Sequence, residues 1–201
     1  MLGTGLGLSF GHVDYSSYDS GNLNNIPDST AEFRFLLGPD IPASETSFLT
    51  LYSGIGYRYL NDDSSGMTST TGYSGYDRES NYFYSPIGID ASICLENGWS
   101  VGIILEYDIF WRGKQISHLS DADPNFNDPE NAQKRGYGIR WSVEFRKTGE
   151  QVDFVIEPFI RYWNIKKSED ANLTYGGVPF GTGYEPENNS TEVGIMLAIG
   201  F

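Results

Sequence analysis

An all-β fold is predicted by three features of the sequence. Apolar and polar residues alternate with a period of two along much of the chain, the connections between these stretches alternate between long and short, and the last twelve residues have two faces of different kinds. In Ser190 to Phe201, Val193, Ile195, Leu197, Ile199 and Phe201 share one parity, while Glu192, Gly194, Met196, Ala198 and Gly200 share the other. A face of glycine and small residues is an odd surface to show to water. The prediction is a single domain over residues 1–201: an eight-stranded antiparallel up-and-down transmembrane β-barrel with four long extracellular loops.

Eight alternating segments are expected as strands: Leu2–His12, Ala31–Leu37, Phe48–Leu60, Tyr82–Cys94, Trp99–Arg112, Tyr137–Arg146, Val152–Trp163 and Thr191–Phe201. The fifth is the clearest, because Trp99, Val101, Ile103, Leu105, Tyr107, Ile109 and Trp111 alternate with Ser100, Gly102, Ile104, Glu106, Asp108, Phe110 and Arg112. Most of these segments lie close to the 9–11 residues, roughly, that a tilted strand needs to cross a bilayer, and no apolar run is long enough for a spanning helix. The long connections fall at 13–30, 61–81, 113–136 and 164–190. The other three are short, among them LENG and KTGEQ. In an antiparallel sheet that alternation gathers the long loops at one end, as in outer-membrane barrels.

The two parities differ as populations. One carries Leu6, Leu8, Phe10, Phe33, Phe35, Leu51, Ile55, Ile87, Ile89, Ile139, Trp141, Ile156 and Ile160, with no charge among them. The other carries Glu32, Arg34, Arg58, Asp90, Glu106, Asp108, Arg112, Arg140, Glu144, Arg146, Asp153, Glu157, Arg161 and Glu192. Arginine without lysine suggests a packed lattice, since a guanidinium bridges several carboxylates and a solvated face would normally use some lysine. The apolar parity is therefore expected to face lipid, and the charged one a lumen filled by side chains. Trp99 and Trp111 would stand about 30 Å apart along the membrane normal, the separation of two aromatic girdles.

On strand count, loop asymmetry, charged lumen and the terminal IMLAIGF, the chain resembles the small eight-stranded bacterial outer-membrane β-barrel proteins typified by OmpA and OmpX. That resemblance implies the outer membrane of a Gram-negative bacterium, contact with outer-membrane lipid and lipopolysaccharide, and passage through the barrel-assembly machinery. It also implies that Val193, Ile195, Leu197, Ile199 and Phe201 form the assembly signal. The start, MLGTGLGLSF, lacks a basic segment followed by an apolar stretch and a cleavage site, so any export signal is expected to be already gone.

Function is read less directly. The net charge is −14, and no basic patch for nucleic acid is present. The leading expectation is a non-enzymatic membrane scaffold or surface-interaction protein whose long acidic loops meet an unidentified surface partner, with no cofactor. One alternative is a lipid-modifying hydrolase. His118-Leu119-Ser120 resembles the His-x-Ser element of outer-membrane lipid A deacylases, with His118 as base and Ser120 as nucleophile, although Asp121 stands where that pattern has asparagine. A second alternative is a soluble lipocalin-like barrel with the apolar parity inside around a ligand. DADPNFNDPENA offers oxygen donors at Asp121, Asp123, Asn125 and Asn127. It has Phe126 where a calcium loop needs glycine and Ala132 where it needs a bidentate glutamate, so no metal site is expected there and the stretch reads as an Asx/Pro turn-rich loop.

Overall fold

Residues 1–200 are described in a computed structural model of the chain. They form twelve strands: β1 (Leu2–Ser17), β2 (Gly21–Leu37), β3 (Asp40–Pro42), β4 (Ser47–Asp63), β5 (Asp77–Cys94), β6 (Trp99–Ser117), β7 (Glu130–Gln133), β8 (Gly136–Lys147), β9 (Asp153–Ile165), β10 (Ala171–Tyr175), β11 (Val178–Gly183) and β12 (Asn188–Gly200). Ten of them build one antiparallel sheet, whose path runs β1-β2-β4-β5-β6-β8-β9-β12, with β3 paired to β4 and β7 to β6. The sheet curls into a nearly closed barrel, and β10 and β11 form a separate hairpin. Phe201, and with it the last residue of the expected assembly signal, lies outside the described residues.

The period-two rule survives folding. Along β6, Gly102, Ile104, Glu106, Asp108 and Phe110 are buried, while Ile103, Leu105, Tyr107 and Ile109 are exposed. The same alternation puts Thr50, Tyr52, Gly56 and Arg58 of β4 inside and Leu51 and Ile55 outside. The interior is thus charged and aromatic, and the exterior is apolar. Tyr82, Tyr84, Phe110, Trp163 and Ile165 form the buried apolar cluster towards the long-loop end, with Tyr84 and Trp163 edge to face at 5.1 Å between ring centroids.

Strands run further than the pattern suggested. The expected loop 13–30 is mostly strand, because β1 and β2 pair up to Ser17↔Gly21 and leave only residues 18–20 as a turn. Val13 pairs with Ile26 and Tyr15 with Leu23 across a register shift, so the apolar residues Leu23 and Ile26 stand three apart and this stretch of β2 leaves no period-two signature. Likewise the region 113–136 contains β7, and 164–190 contains the β10–β11 hairpin.

One register irregularity reverses an expectation. Between β5 and β6 the pairing steps from Tyr84↔Phe110 to Phe83↔Arg112, so Trp111 is the extra residue of a β-bulge. Beyond it the parity of β6 flips. Gln115 and Ser117 are buried, and Arg112 turns outward, its guanidinium 5.0 Å from the centre of the Phe83 ring. Arg112 is therefore not part of the interior lattice.

Two glycines make room for the interior rings. An added Cβ at Gly56 would sit 2.1 Å from Cζ of Tyr84, and one at Gly88 would sit 2.1 Å from Cζ of Tyr52. Each glycine is a socket on the strand next to its tyrosine's own. Gly88→Ala should accordingly destabilise the refolded protein by about 1–3 kcal/mol in denaturant unfolding. Gly7→Ala, whose added Cβ meets only Glu32 Cβ at 3.8 Å, should change stability by less than about 0.5 kcal/mol.

Candidate functional site

Two side-chain constellations carry chemistry: the interior lattice and a cluster on the outer face at the long-loop end. The lattice is centred on Arg161 of β9. Its Nη2 donates to Asp108 Oδ2 at 2.8 Å, its Nη1 donates to Glu32, and the guanidinium lies 4.8 Å from the centre of the Trp163 ring. Tyr84 also donates its hydroxyl to Glu32. Arg34 pairs with Glu106, which accepts a second bond from the Tyr52 hydroxyl at 2.7 Å. Arg58 makes a two-pronged contact with Glu192, one prong of 3.0 Å. Arg140 donates to Glu157 at 2.9 Å, where Ser142 adds a bond of 2.6 Å. Towards the short-turn end, Arg146 pairs with Glu144 at 2.9 Å and Asp153 at 3.5 Å.

Twelve of the fourteen residues expected in this lattice are thus brought together by the fold. Arg112 is turned away by the bulge. Asp90 points inward but has no ion-pair partner among the described residues. The pattern missed two members, Arg78 and Glu185, which pair at 2.9 Å where Ser117 also donates to Glu185 at 3.0 Å. Arg78 shares its parity with Tyr82 and Tyr84, so extending the strand four residues would have found it. Glu185 sits in an irregular loop and leaves no signal.

The second constellation is held by the ends of β5 and β6. Asp77 and Glu79 lie on the outward parity of β5, and His118 follows the last residue of β6. Backbone contacts fix their approach: His118 N–H donates to Asp77 O at 2.9 Å, and Asp77 N–H donates to Asp121 Oδ2 at 3.1 Å. The loop then folds back to bring Asp128 against the histidine, with Nδ1 3.3 Å from Asp128 Oδ2. Asp128 is anchored by Ser120, whose backbone N–H and hydroxyl donate to it at 3.0 and 3.1 Å. On the other side of the ring, His118 Nε2 stands 3.4 Å from Glu79 Oε1.

This geometry sorts the sequence candidates. His118 acquires the carboxylate that no motif identified, Asp128, because chain reversal over residues 119–128 places it there. Ser120 Oγ binds that carboxylate rather than His118 Nε2, whereas a serine nucleophile needs the imidazole nitrogen as its base. The four oxygen donors of the acidic loop do not converge. Asp123 caps Asn125, Asn127 bonds Asn172 O and Thr174 N–H, and Asp121 holds Asp77. They form the turn-rich loop that the sequence also allowed.

No protein-family model matches the chain, and no curated protein matches it at a significant level.

Both His118 and Asp128 lie beyond the strand ends. Partial burial works to lower the His118 pKa, but the hydrogen bond and charge of Asp128, with Asp77 and Glu79, outweigh it and hold the pKa above the ordinary imidazole value. Partial burial likewise works to raise Asp128, and the bonds from Ser120 and His118 overcome it and keep the carboxyl below its usual range. The histidine's contribution to stability is therefore complete below its unfolded value, about 6.5, and is lost as pH rises through the raised folded value. The aspartate's contribution is present above its unfolded value and is lost as pH falls through the depressed folded one. In metal-free buffer with chelator, the NMR titration of His118 should have its midpoint above that of a free imidazole. Asp128→Asn should bring the midpoint down.

Proposed function

We propose that this chain is an eight-stranded transmembrane β-barrel of a Gram-negative outer membrane, closed by β1 against β12, that works as a non-enzymatic scaffold presenting its long acidic loops to a surface partner. The observation that carries the reading is the inverted distribution of polarity. A largely apolar exterior, with Leu8, Phe33, Ile55, Ile103, Leu105 and Ile156 all exposed, surrounds an interior of paired arginines and carboxylates. A water-soluble barrel of this size gains stability from the opposite arrangement. Trp99 and Trp111, both exposed on the outer face of β6, suit residues that meet headgroups. A small interior crowded with ion pairs supports a scaffold over a passive pore.

A lipid-modifying hydrolase is the second reading, favoured by Asp128 against His118 Nδ1. It ranks lower because Nε2 is turned to Glu79 instead of Ser120. Fatty acid released from purified lipopolysaccharide, and lost in Ser120→Ala, would put it first.

The membrane reading is tested by Ile103→Arg, at an exposed position of β6 between Trp99 and Trp111. In lipid this substitution should cost about 2–4 kcal/mol of folding stability in vesicles. Val178→Arg, in the separate hairpin, should cost less than about 0.5 kcal/mol. Equal tolerance at both positions would mean that Ile103 faces water and would defeat the proposal.

A further inference from the structure

We propose that Asp77, Glu79 and His118 form a binding site for a divalent first-row transition-metal ion, best matched by Zn²⁺, with Asp128 as the residue that orients the imidazole. Each of the three offers one ligand atom, and these atoms lie within 4.8 Å of one another on the outer face at the long-loop end. The inference concerns the loop cluster alone and does not depend on what surrounds the barrel.

The spacing is close to what the ion requires. Ligand atoms about 2.1 Å from a tetrahedral Zn²⁺ stand about 3.4 Å apart, and His118 Nε2 is already 3.4 Å from Glu79 Oε1. The wider edges need a side-chain adjustment of about 1 Å, within the reach of a glutamate or aspartate rotamer. Asp77 is steadied by Asn61, whose amide donates to Oδ1 at 2.6 Å, leaving Oδ2 to serve as ligand. The ligands alternate along one strand and are joined by a residue at the end of its neighbour, so the sheet register itself sets their separation.

The histidine is prepared for the role. With Nδ1–H held by Asp128, the lone pair of the neutral ring is on Nε2, the carboxylate–histidine arrangement that surrounds many zinc ions. Nε2 makes no hydrogen bond among the described residues. It faces two carboxylates that would otherwise repel each other, which a cation resolves. One nitrogen with two carboxylates favours a transition metal, whereas Ca²⁺ seeks six to eight oxygens and Cu⁺ seeks sulfur. Three protein ligands leave a position for water or for a donor from a partner. The bound ion would tie β5 to β6 and, through Asp128, would clamp the loop over residues 118–128.

The test is titration of chelator-treated, folded protein with Zn²⁺ by isothermal calorimetry, with Co²⁺ as a spectroscopic stand-in. The expected result is one ion per chain and visible Co²⁺ absorption bands. His118→Ala and Glu79→Gln should each weaken binding by at least roughly tenfold, and Asp128→Asn by roughly 10- to 100-fold. Asp123→Asn, in the same acidic loop but outside the cluster, should leave affinity unchanged. Each variant is compared only after its circular dichroism and heat-shifted gel mobility match the unaltered protein, and Glu79→Gln carries the test if His118→Ala does not fold. Lack of saturable one-to-one binding in the unaltered protein would overturn the proposal. So would an affinity in the folded variants, His118→Ala or Glu79→Gln, equal to that of the unaltered protein.

Discussion

Everything in this barrel depends on keeping Arg161 charged where water does not reach it. Its guanidinium is buried against Trp163 and Tyr84, and a lone cation there would cost several kcal/mol. The compensation comes from Asp108 on β6 and Glu32 on β2, neither of which is on a strand adjacent to β9. These contacts can form only if the sheet bends round until distant strands meet across its interior. Arg34 with Glu106 and Arg58 with Glu192 impose the same demand from β2 to β6 and from β4 to β12. The ion pairs are therefore the means by which curvature and side-chain register are selected together, since a one-residue slip would turn every charge outward.

From that constraint the rest follows in sequence. Placing charge inside leaves the alternate residues, nearly all apolar, on the outside. The interior must also accommodate rings as well as ions, which is why glycine sits under Tyr52 and Tyr84. At the long-loop end the parity changes at the Trp111 bulge, and Arg112, Lys114 and finally His118 are delivered to the exterior instead of the interior. A single inserted residue thus converts a strand that would have continued the lattice into one that builds an external cluster with Asp77 and Glu79.

What could be read from the sequence was whatever alternates between two different environments. Trp99 to Phe110 was legible because each side chain faces either the apolar exterior or the charged interior, and the composition records the difference. Residues 13–30 were illegible for a different reason: a register shift between Val13↔Ile26 and Tyr15↔Leu23 sets the apolar residues of β2 three apart, so strand and loop look alike. Arg112 was misplaced because a bulge shifts the parity without changing the composition. Asp128 could not be assigned to His118, since their proximity depends on a turn whose closure only the folded loop reveals. Arg78 was within reach of the parity argument; Glu185 was not.

The most direct measurement of the central claim is a double-mutant cycle on Arg161 and Glu32, using Arg161→Met and Glu32→Gln, with stability read from denaturant unfolding. If the interior pairs hold the curled sheet together, Arg161→Met alone should cost about 3–5 kcal/mol, because it strands buried carboxylates. The double variant should then be more stable than the sum of the two losses predicts, by more than about 1 kcal/mol. Losses that add to within about 0.5 kcal/mol would show that the two residues act independently, and would contradict the account.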